Sequence, residues 1–565
     1  MAGSGYGASG RGSSEERGRL HMWNFADLYE ALAAKIPEAP CQVQGDRVLS
    51  WAQFDRGADG VARHLLDAGL GHQAKVAAYL TNCPEYLQTY LAAFKAGMVP
   101  VNTNYRYGPD EIVYLFDNAD AEAVVFSAGH GPLLESVRSR LPKVRTWLAV
   151  NDGAPRPDWA TGYAKLAVGG ATPGQVRGPW GRSGDDLLLL YTGGTTGRPK
   201  GVMWRQDDLL KVLGRGGDPL LGRLPAADLD ELLTRVTGAG PVALPACPLM
   251  HGTGQLTCYA TLNQGGSIVL LPRQGLDAEL LWDEVEARRV NVLVIVGDAF
   301  ARPLVAALDA APQRWDLTSL RLVTSSGAMW SQQTKQALLR HLPTALLFDS
   351  LGSSEAVGLA QEVSSAGSVA STASFAVSRR VKVLTEDGRE VTPGSDEIGM
   401  VSISGSIPVG YYKDEAKSRR TFRVVDGIRY ATPGDYARVR ADGTIQLLGR
   451  GSAVINTGGE KVFPEEVEEV LKEHPDVQDA ACVGLPDERF GETVCALVEP
   501  APGHTLDDRA LIAHVKARLA SFKAPRTVLE VASIGRAPNG KVDHQALRRQ
   551  ALGRASRSDV AQATP

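Results

Sequence analysis

A loop rich in glycine and threonine is the stretch of this chain best equipped for chemistry. Residues 187–202 are LLLLYTGGTTGRPKGV, and the apolar run Leu187–Leu190 is typical of a buried strand. The glycines that follow let the backbone turn its N–H groups inward, and the threonine hydroxyls and Lys200 add further donors. Donors concentrated in this way predict a loop that binds a polyphosphate.

The loop does not match the Walker A pattern, which places Lys directly after Gly and Ser or Thr directly after Lys. Here Arg198 and Pro199 precede Lys200, and Gly201 follows it. A glycine-rich turn between two elements, without a ligand, is the competing interpretation. The number of donors, the preceding apolar run and the length of the loop favour phosphate binding.

Composition narrows the class of protein. A chain of 565 residues is too long for one ordinary core, so two or more domains are expected. With 44% hydrophobic and 22% charged residues, the composition is that of a soluble globular protein. The formal net charge of −4 gives no electrostatic case for nucleic acid or an anionic membrane as a partner. No apolar run is long enough to span a bilayer.

The six cysteines form no CxxC pair or zinc-like spacing, which predicts a reducing compartment, the cytoplasm, and no structural metal. Residues 1–21 are rich in Gly and Ser and lack the apolar segment of a secretory signal. We expect them to be disordered, and we expect the same of residues 554–565.

Strand and helix patterns alternate through residues 51–126 and again through 281–348, which predicts an α/β fold of parallel sheets covered by helices. Short strands broken by DG and PG turns, from 381 to 448, predict a small antiparallel sheet or β-barrel. A small, mobile α+β domain is expected after Gly449, with one of its helices beginning at Thr505. The predicted domains are therefore 22–449 and 450–553.

Nine motifs, in order along the chain, resemble the adenylate-forming superfamily. That family holds acyl-CoA synthetases, peptide-synthetase adenylation domains and luciferases. The matching segments are Tyr191–Gly201, Pro248–Gly252, Ser326–Ala328, Gly352–Glu355, Gly410–Tyr412, Pro433–Asp435, Gly449–Arg450, Gly458–Val462 with Pro464, and Pro538–Lys541.

The resemblance implies a two-step reaction. A carboxylate first attacks the α-phosphorus of ATP, so two anions must meet and the site must supply positive charge. Lys541 would bridge the carboxylate and the α-phosphate, Glu355 would ligate Mg²⁺, and Thr196 would assist catalysis. The nucleotide-binding residues implied are Thr192, Gly193, Gly194, Thr195, Thr196, Lys200, Gly327, Ala328, Ser350, Leu351, Ser354, Asp435 and Arg450.

In the second step the thiolate of coenzyme A attacks the acyl carbonyl and AMP leaves. The family rotates its C-terminal domain between the steps, with Arg450 at the hinge. The residues implied for coenzyme A are Gly458, Gly459, Glu460 and Lys461. Those implied for the acyl pocket are His251, Gly252, Gly297 and Asp298.

Three specialised segments resemble actinobacterial acyl-CoA synthetases that act on steroid side chains: 201–205, 297–303 and 455–464. A bulky steroid or terpenoid acid is therefore the first expectation for the substrate, and a medium or long fatty acid the second. The insert at about 206–242, expected to be partly helical, would help to shape the pocket. The expected partners are the acid, ATP and coenzyme A, and a homodimer stays open as an assembly.

Several positions depart from the family pattern. Leu351 replaces an aromatic residue, Ser354 replaces Thr, Gly193 replaces a common Ser, and Ser452 and Ala453 replace the Lys-Asp pair common after the hinge. These departures leave open an enzyme that performs only the thioester step on acyl-adenylate made elsewhere. A luciferase-like oxygenase, a peptide-synthetase domain and a non-enzymatic nucleotide-binding regulator also stay open as functions.

Overall fold

The computed structural model describes residues 23–168, 176–192, 198–218, 222–369, 372–457, 460–487, 489–537, 540 and 542–562. The predictions for residues 1–21, for Gly193, Gly194, Thr195 and Thr196, and for Gly458, Gly459 and Lys541 lie outside the described residues.

Strands and helices alternate from residue 25 to residue 205, as the sequence pattern predicts. The elements are α1 (Phe25–Lys35), β1 (Pro40–Gln44), β2 (Arg47–Ser50), α2 (Trp51–Asp67), β3 (Lys75–Tyr79), α3 (Pro84–Lys95), β4 (Val99–Asn102), α4 (Pro109–Ala119), β5 (Ala121–Ser127), α5 (Gly131–Val137), β6 (Thr146–Val150), β7 (Thr161–Gly162), α6 (Tyr163–Ala167), β8 (Leu187–Thr192) and β9 (Lys200–Arg205).

The next segment begins with the predicted insert, which is partly helical. Its elements are α7 (Gln206–Val212), α8 (Leu229–Arg235), β10 (Val242–Pro245), α9 (Gly252–Leu262), β11 (Ser267–Leu270), α10 (Ala278–Ala287), β12 (Val292–Ile295), α11 (Gly297–Ala310), β13 (Leu322–Ser326), α12 (Gln332–His341), β14 (Leu346–Ser353) and β15 (Ala356–Ser364).

A third segment consists mainly of short strands. Its elements are β16 (Ser374–Phe375), β17 (Val381–Leu384), β18 (Ile398–Ser404), β19 (Gly410–Tyr411), α13 (Glu415–Thr421), β20 (Phe422–Val425), β21 (Ile428–Ala431), β22 (Asp435–Val439) and β23 (Ile445–Arg450).

Two eight-stranded sheets carry the large N-terminal domain. One has the order β15-β14-β13-β12-β10-β11-β1-β2, and the other β19-β9-β8-β4-β3-β5-β6-β7. Strands β14 to β1 of the first sheet and β8 to β7 of the second run parallel, and antiparallel strands stand at the edges. The predicted α/β class is confirmed.

The third sheet is antiparallel and has seven strands, in the order β16-β23-β22-β18-β21-β20 with β17 paired to β18. Of the two predicted forms, a sheet or a barrel, the pairing of the described strands is that of an open sheet, because β16 and β20 stand at opposite ends of the order. Strand β19 leaves this region and pairs with β9 instead.

The smaller C-terminal domain has a five-stranded sheet and its own apolar core. Its elements are β24 (Ile455–Thr457), β25 (Glu460–Val462), α14 (Pro464–Lys472), β26 (Val477–Asp487), β27 (Gly491–Pro500), α15 (Asp508–Lys516), β28 (Thr527–Glu530) and α16 (His544–Gln562). The boundary at 449/450 stays a prediction, and β23 extends one residue beyond it.

Two local predictions differ from the structure. The helix expected from Thr505 begins at Asp508, because the Asp507 side chain accepts from the backbone N–H groups of Arg509 and Ala510 and so caps it. The tail expected to be disordered belongs to α16 as far as Gln562. Its residues between 544 and 562 include several strong helix formers and no proline.

No helix among the described residues has the length and hydrophobicity needed to cross a membrane.

Candidate active site

The two strands that flank the predicted phosphate loop hold its ends together. Thr192 ends β8 and faces Lys200, which begins β9. Asn102, buried at the end of β4, donates to the carbonyl oxygens of Tyr191 (2.8 Å) and Met250 (2.7 Å) and accepts from the Tyr191 N–H (2.5 Å). This amide therefore fixes the base of the loop to the segment before His251. Sequence reasoning missed Asn102, although a polar residue at the end of a predicted buried strand is a signal.

A tyrosine connects the two charged residues expected at the phosphates. The Tyr411 hydroxyl donates to Glu355 Oε1 at 2.6 Å, and the Lys200 ammonium lies 5.8 Å from the centre of the Tyr411 ring. Lys200 also donates to Asp414 Oδ2 at 2.5 Å, and this bond holds the pKa of Asp414 below its usual value. The resemblance named Gly410–Tyr412 only as a motif, so the roles of Tyr411 and Asp414 were missed.

The hairpin that carries Glu355 is held from two sides. The indole N–H of Trp204, which is fully buried, donates to the carbonyl oxygen of Ser354 at 2.9 Å. On the other side, the buried Lys335 ammonium lies 2.9 Å from Asp349 Oδ2 on β14 and 3.0 Å from Glu362 Oε2 on β15. Burial raises the pKa of Asp349 to about 6, although Lys335 opposes this rise. We call Lys335, Asp349 and Glu362 the buried charge triad, and no sequence pattern predicted it.

The turn at Ser326–Ala328, which is expected to bind the nucleotide, packs against the start of α11. Gly297 donates its N–H to Ser325 Oγ at 2.9 Å, and a Cβ at Gly297 would lie 2.3 Å from the Met329 carbonyl oxygen. Only glycine fits there, since its φ of +56° is also left-handed. Asp298 Oδ1 accepts from the Ser331 N–H at 3.0 Å.

Two residues that are expected to bind the nucleotide, Asp435 and Arg450, lie opposite each other on two paired strands. Asp435 begins β22 and is in register with Arg450 at the end of β23. Asp435 is 5% exposed, so its carboxylate has been taken out of bulk water. Gly434 precedes it with a φ of +100°, as the Pro-Gly turn predicts.

One cavity of about 2250 Å³ brings most of the predicted residues together. The predicted residues on its wall are Thr192, His251, Gly252, Asp298, Gly327, Ala328, Ser350, Leu351, Ser354, Glu355 and Asp435. Lys200, Gly297 and Glu460 do not line it. Lys200 is directed to Asp414, Gly297 lies behind the wall, and Glu460 is exposed in the β24–β25 hairpin.

One face of the first parallel sheet also lines this cavity. Leu322, Thr324 and Phe348 line it from the sheet, and Leu256 and Thr257 line it from α9. The strand rise gives this face a length of about 13 Å between positions 322 and 326. The predicted insert contributes residues 212–214, 217, 218 and 235–241 to the cavity wall. The wall mixes aliphatic residues such as Leu256 and Leu322 with polar ones such as Asp218 and Arg235, and its aliphatic part can contact an apolar group.

The loop of the expected catalytic lysine reaches this cavity. A Cβ at Gly540, the residue before position 541, would lie 3.2 Å from the Val296 carbonyl oxygen and 3.3 Å from Ala328 Cβ. Arg536 supports the loop, since it donates to the Gly540 carbonyl oxygen at 3.2 Å and binds Asp479 through two nitrogens at 2.6 and 2.8 Å. Sequence reasoning missed Arg536 and Asp479.

Residues 29–412 match the family model of the AMP-binding enzyme, and residues 466–541 match that of the AMP-binding enzyme C-terminal domain. The chain belongs to the AMP-binding enzyme family. The predicted resemblance to the adenylate-forming superfamily is thereby confirmed.

Two relatives show how far the similarity extends. A medium/long-chain-fatty-acid–CoA/3-oxocholest-4-en-26-oate–CoA ligase of Mycobacterium marinum (strain ATCC BAA-535 / M) is 40% identical over 538 residues, which cover 94% of this chain and 97% of that protein. A 3-oxocholest-4-en-26-oate–CoA ligase of Rhodococcus rhodochrous is 38% identical, over 92% of this chain and 95% of that protein.

Solved structures share the fold. ATP-bound MatB of Rhodopseudomonas palustris superposes with a TM-score of 0.76 and 25% identity, over 94% of this chain and 99% of that one. The anthranilate CoA ligase AuaEII in complex with anthranoyl-AMP superposes with a TM-score of 0.79 over 95% of this chain and 99% of that one. Its 22% identity supports the fold alone.

The donor set near Glu355 fits a magnesium ion that is held mainly by a phosphate substrate. Magnesium in such sites takes one or two carboxylates and several other oxygens. Glu355 supplies a carboxylate on the cavity wall, oriented by Tyr411. No cluster of three or more His, Cys, Asp or Glu side chains suited to a metal occurs among the described residues, so an all-protein cage is not available there.

Proposed function

We propose that this chain is an AMP-forming acyl-CoA ligase that activates a bulky steroid-type or terpenoid carboxylic acid. It would join the acid to coenzyme A through an acyl-adenylate. The observation that carries the proposal is the docking of Gly540 against Val296 and Ala328. This contact brings the neighbour of Lys541 into the cavity whose wall includes Thr192, Glu355 and Asp435.

In the first step the chain would orient ATP and screen its charge. Thr192, the loop that follows it and Lys200 would donate to the β- and γ-phosphates, with Lys200 exchanging Asp414 for phosphate. The Asp435 carboxylate would accept from the ribose hydroxyls. Lys541 would hold the acid's carboxylate against the α-phosphorus as a bond forms there and the bond to pyrophosphate breaks. Bound Mg²⁺, with Glu355 as a ligand, would neutralise part of the phosphate charge.

In the second step the small domain would turn about Arg450 and withdraw Lys541. The thiolate would then attack the acyl carbonyl carbon, and AMP would leave with the electron pair of the mixed anhydride. Gly458, Gly459, Glu460 and Lys461 would guide the pantetheine arm. Glu460 lies outside the cavity wall in the present arrangement, as is expected of a group that is needed only after the turn.

The size of the cavity, the aliphatic residues on its wall and the names of the relatives support the choice of acid. Two relatives that cover almost the whole chain are named for 3-oxocholest-4-en-26-oate. A medium or long fatty acid is the second candidate, because the first of those relatives is also named for such acids. The homodimer and the cytoplasmic location remain proposals, and the latter is supported by six free cysteines.

Exchange of labelled pyrophosphate into ATP, followed by coenzyme A capture, tests the function. We expect Mg²⁺-dependent pyrophosphate exchange with a steroid side-chain acid. Exchange with dodecanoate should be slower. Thioester formed from synthetic acyl-adenylate, without any exchange, would favour an enzyme of the thioester step only. ATP binding without either reaction would favour a regulator and would contradict the proposal.

A further inference from the structure

One arginine of the large domain reaches across to the small domain. Arg302 lies on α11, and its Nη1 donates to the carbonyl oxygen of Gln478 at the start of β26. One helical turn earlier, Asp298 Oδ2 lies 3.4 Å from Arg302 Nη2. Because Asp298 is itself fixed by the Ser331 N–H, the guanidinium is aimed at the small domain by its own helix.

The residue after Gln478 leads directly to the lysine loop. Asp479 receives two hydrogen bonds from Arg536, and Arg536 donates to the carbonyl oxygen of Gly540. Arg302 therefore binds the strand end to which the loop before Lys541 is attached. Of these four hydrogen bonds, the one from Arg302 to Gln478 crosses between the domains, and the other three lie within the small domain.

The loop before Lys541 also contacts this helix, at the residue just before its first turn. Gly540 packs against Val296, the residue just before α11, and against Ala328. The small domain thus contacts α11 at two points about one and a half turns apart, through Gly540 at residue 296 and through Gln478 at residue 302. Two separated contacts on one helix, with Ala328 as a third point beside Gly540, restrict rotation of the small domain more than a single contact does.

Charges around this contact are complementary and largely buried. Lys472 of the small domain pairs with Glu469, and although burial opposes its charge, Glu469 and then Asp298 raise the pKa of Lys472. The Lys472–Glu469 pair lies within α14 and does not depend on docking, whereas Asp298 lies on the large domain, so its attraction to Lys472 favours the docked orientation.

We propose that Arg302, anchored by Asp298, is a positioning residue for the adenylation half-reaction. It holds the small domain in the arrangement that presents Lys541 to the cavity, and it releases Gln478 when the domain turns for the thioester step. The inference rests on the proposed two-step function. It assigns to Asp298 a structural partner in addition to its place on the cavity wall.

The two half-reactions of Arg302→Gln, measured separately, test this role. We expect pyrophosphate exchange to fall about tenfold to a hundredfold, in line with the loss of a hydrogen bond from a charged group. Thioester formation from synthetic acyl-adenylate should be unchanged or faster. The KM values for the acid and for ATP should also be unchanged, since a role in lining the pocket would raise the former. Arg302→Lys should recover part of the exchange rate.

Arg314→Gln is the matched control, because Arg314 pairs with Glu279 and Asp283 inside the large domain. It should leave both half-reactions unchanged. An equal loss of both half-reactions in Arg302→Gln, or no loss of exchange, would overturn the proposal.

A distance measurement separates this inference from the choice of substrate. Spin labels at the exposed positions Val424→Cys and Phe522→Cys would report the separation of the two domains with ATP alone. Arg302→Gln should broaden or shift the distribution relative to the unmodified chain, whichever acid the enzyme accepts. An unchanged distribution would contradict the inference even if the ligase activity is established, and a shift without any ligase activity would contradict only the proposed function.

Discussion

Single side chains orient the groups that would react. Tyr411 holds Glu355 from one side, Asn102 fixes the base of the phosphate loop, and Arg536 supports the loop before Lys541. None of these three carries the charge expected at the phosphates. They restrict the motion of the charged groups that are expected to contact the phosphates. Groups held in place in this way need not reorient during the reaction.

Lys541→Ala tests the residue with the largest expected effect. Loss of a cation at the reacting phosphorus should slow adenylation at least a hundredfold, about 3 kcal/mol or more. Thioester formation from pre-made acyl-adenylate should be largely spared, and both rates are measured by quenched flow. Lys516→Ala, on the exposed face of α15, is the control. If both half-reactions fell to the same extent, Lys541 would have a different role.

Tyr411→Phe tests the support of Glu355. Without the hydroxyl, the carboxylate loses its 2.6 Å hydrogen bond, and the Mg²⁺ concentration for half-maximal exchange should rise about tenfold. Tyr412→Phe is a matched control, since that hydroxyl donates to Asp120 instead. A Mg²⁺ titration of pyrophosphate exchange measures both, and equal titration curves for the two variants would rule out the role given to Tyr411.

At the level of elements, the β14–β15 hairpin depends on a charge beneath it. Lys335 of α12 joins Asp349 and Glu362, one from each arm, and all three are buried. The hairpin carries Leu351, Ser354 and Glu355, so this triad sets where the expected nucleotide contacts lie. An unpaired buried charge is expensive, and the arms therefore cannot separate without cost.

Lys335→Met should destabilise the large domain by about 3 kcal/mol, because Asp349 and Glu362 would lose their buried partner. All nine tryptophans lie between residues 23 and 330, so tryptophan fluorescence during urea unfolding reports on the large domain. Lys382→Met, which removes a more exposed pair with Glu390, should change the stability by no more than about 1 kcal/mol. Equal midpoints for the two variants would show that the triad contributes no such stability.

For the whole molecule, the proposed two-step function makes the arrangement of the two domains decide which half-reaction is prepared. Gly540 lies against Val296 and Ala328, and Arg302 holds Gln478, so the present arrangement is the one expected for adenylation. Under the proposed function, these contacts would separate for the thioester step. The cavity between the domains is accordingly a property of one arrangement and not of either domain alone.

Gly540→Ala tests the docking itself. Gly540 has a φ of +69°, and an added Cβ would press on the Val296 carbonyl oxygen. Gly535 has a φ of +67° but open space around it, so Gly535→Ala carries the same backbone cost without the contact. Pyrophosphate exchange should fall about tenfold or more in Gly540→Ala relative to Gly535→Ala. Similar rates would mean that only the backbone conformation matters.

Much of the fold follows from local patterns in the sequence. Alternating apolar runs and helical faces predict the parallel sheets, and the turn residues predict the short antiparallel strands after 381. The errors lie where a single side chain decides, as when Asp507 caps α15 at a later residue than expected. Periodicity alone could not tell whether the third sheet closes into a barrel, because closure depends on pairing between strands far apart in the chain.

The amino-acid sequence by itself determined the family, and it predicted the phosphate loop and the residue types that the chemistry needs, because these belong to short contiguous motifs. Tertiary structure decided which of those residues share a wall, why Gly297 must be glycine, and which side chains hold them. Asn102 and Tyr191, Lys335 and Glu362, or Arg302 and Gln478 are separated by 27 to 176 positions, and only folding brings them together. A contact between residues so distant in the chain leaves no local sequence pattern, because neither residue's neighbours in the sequence specify its partner.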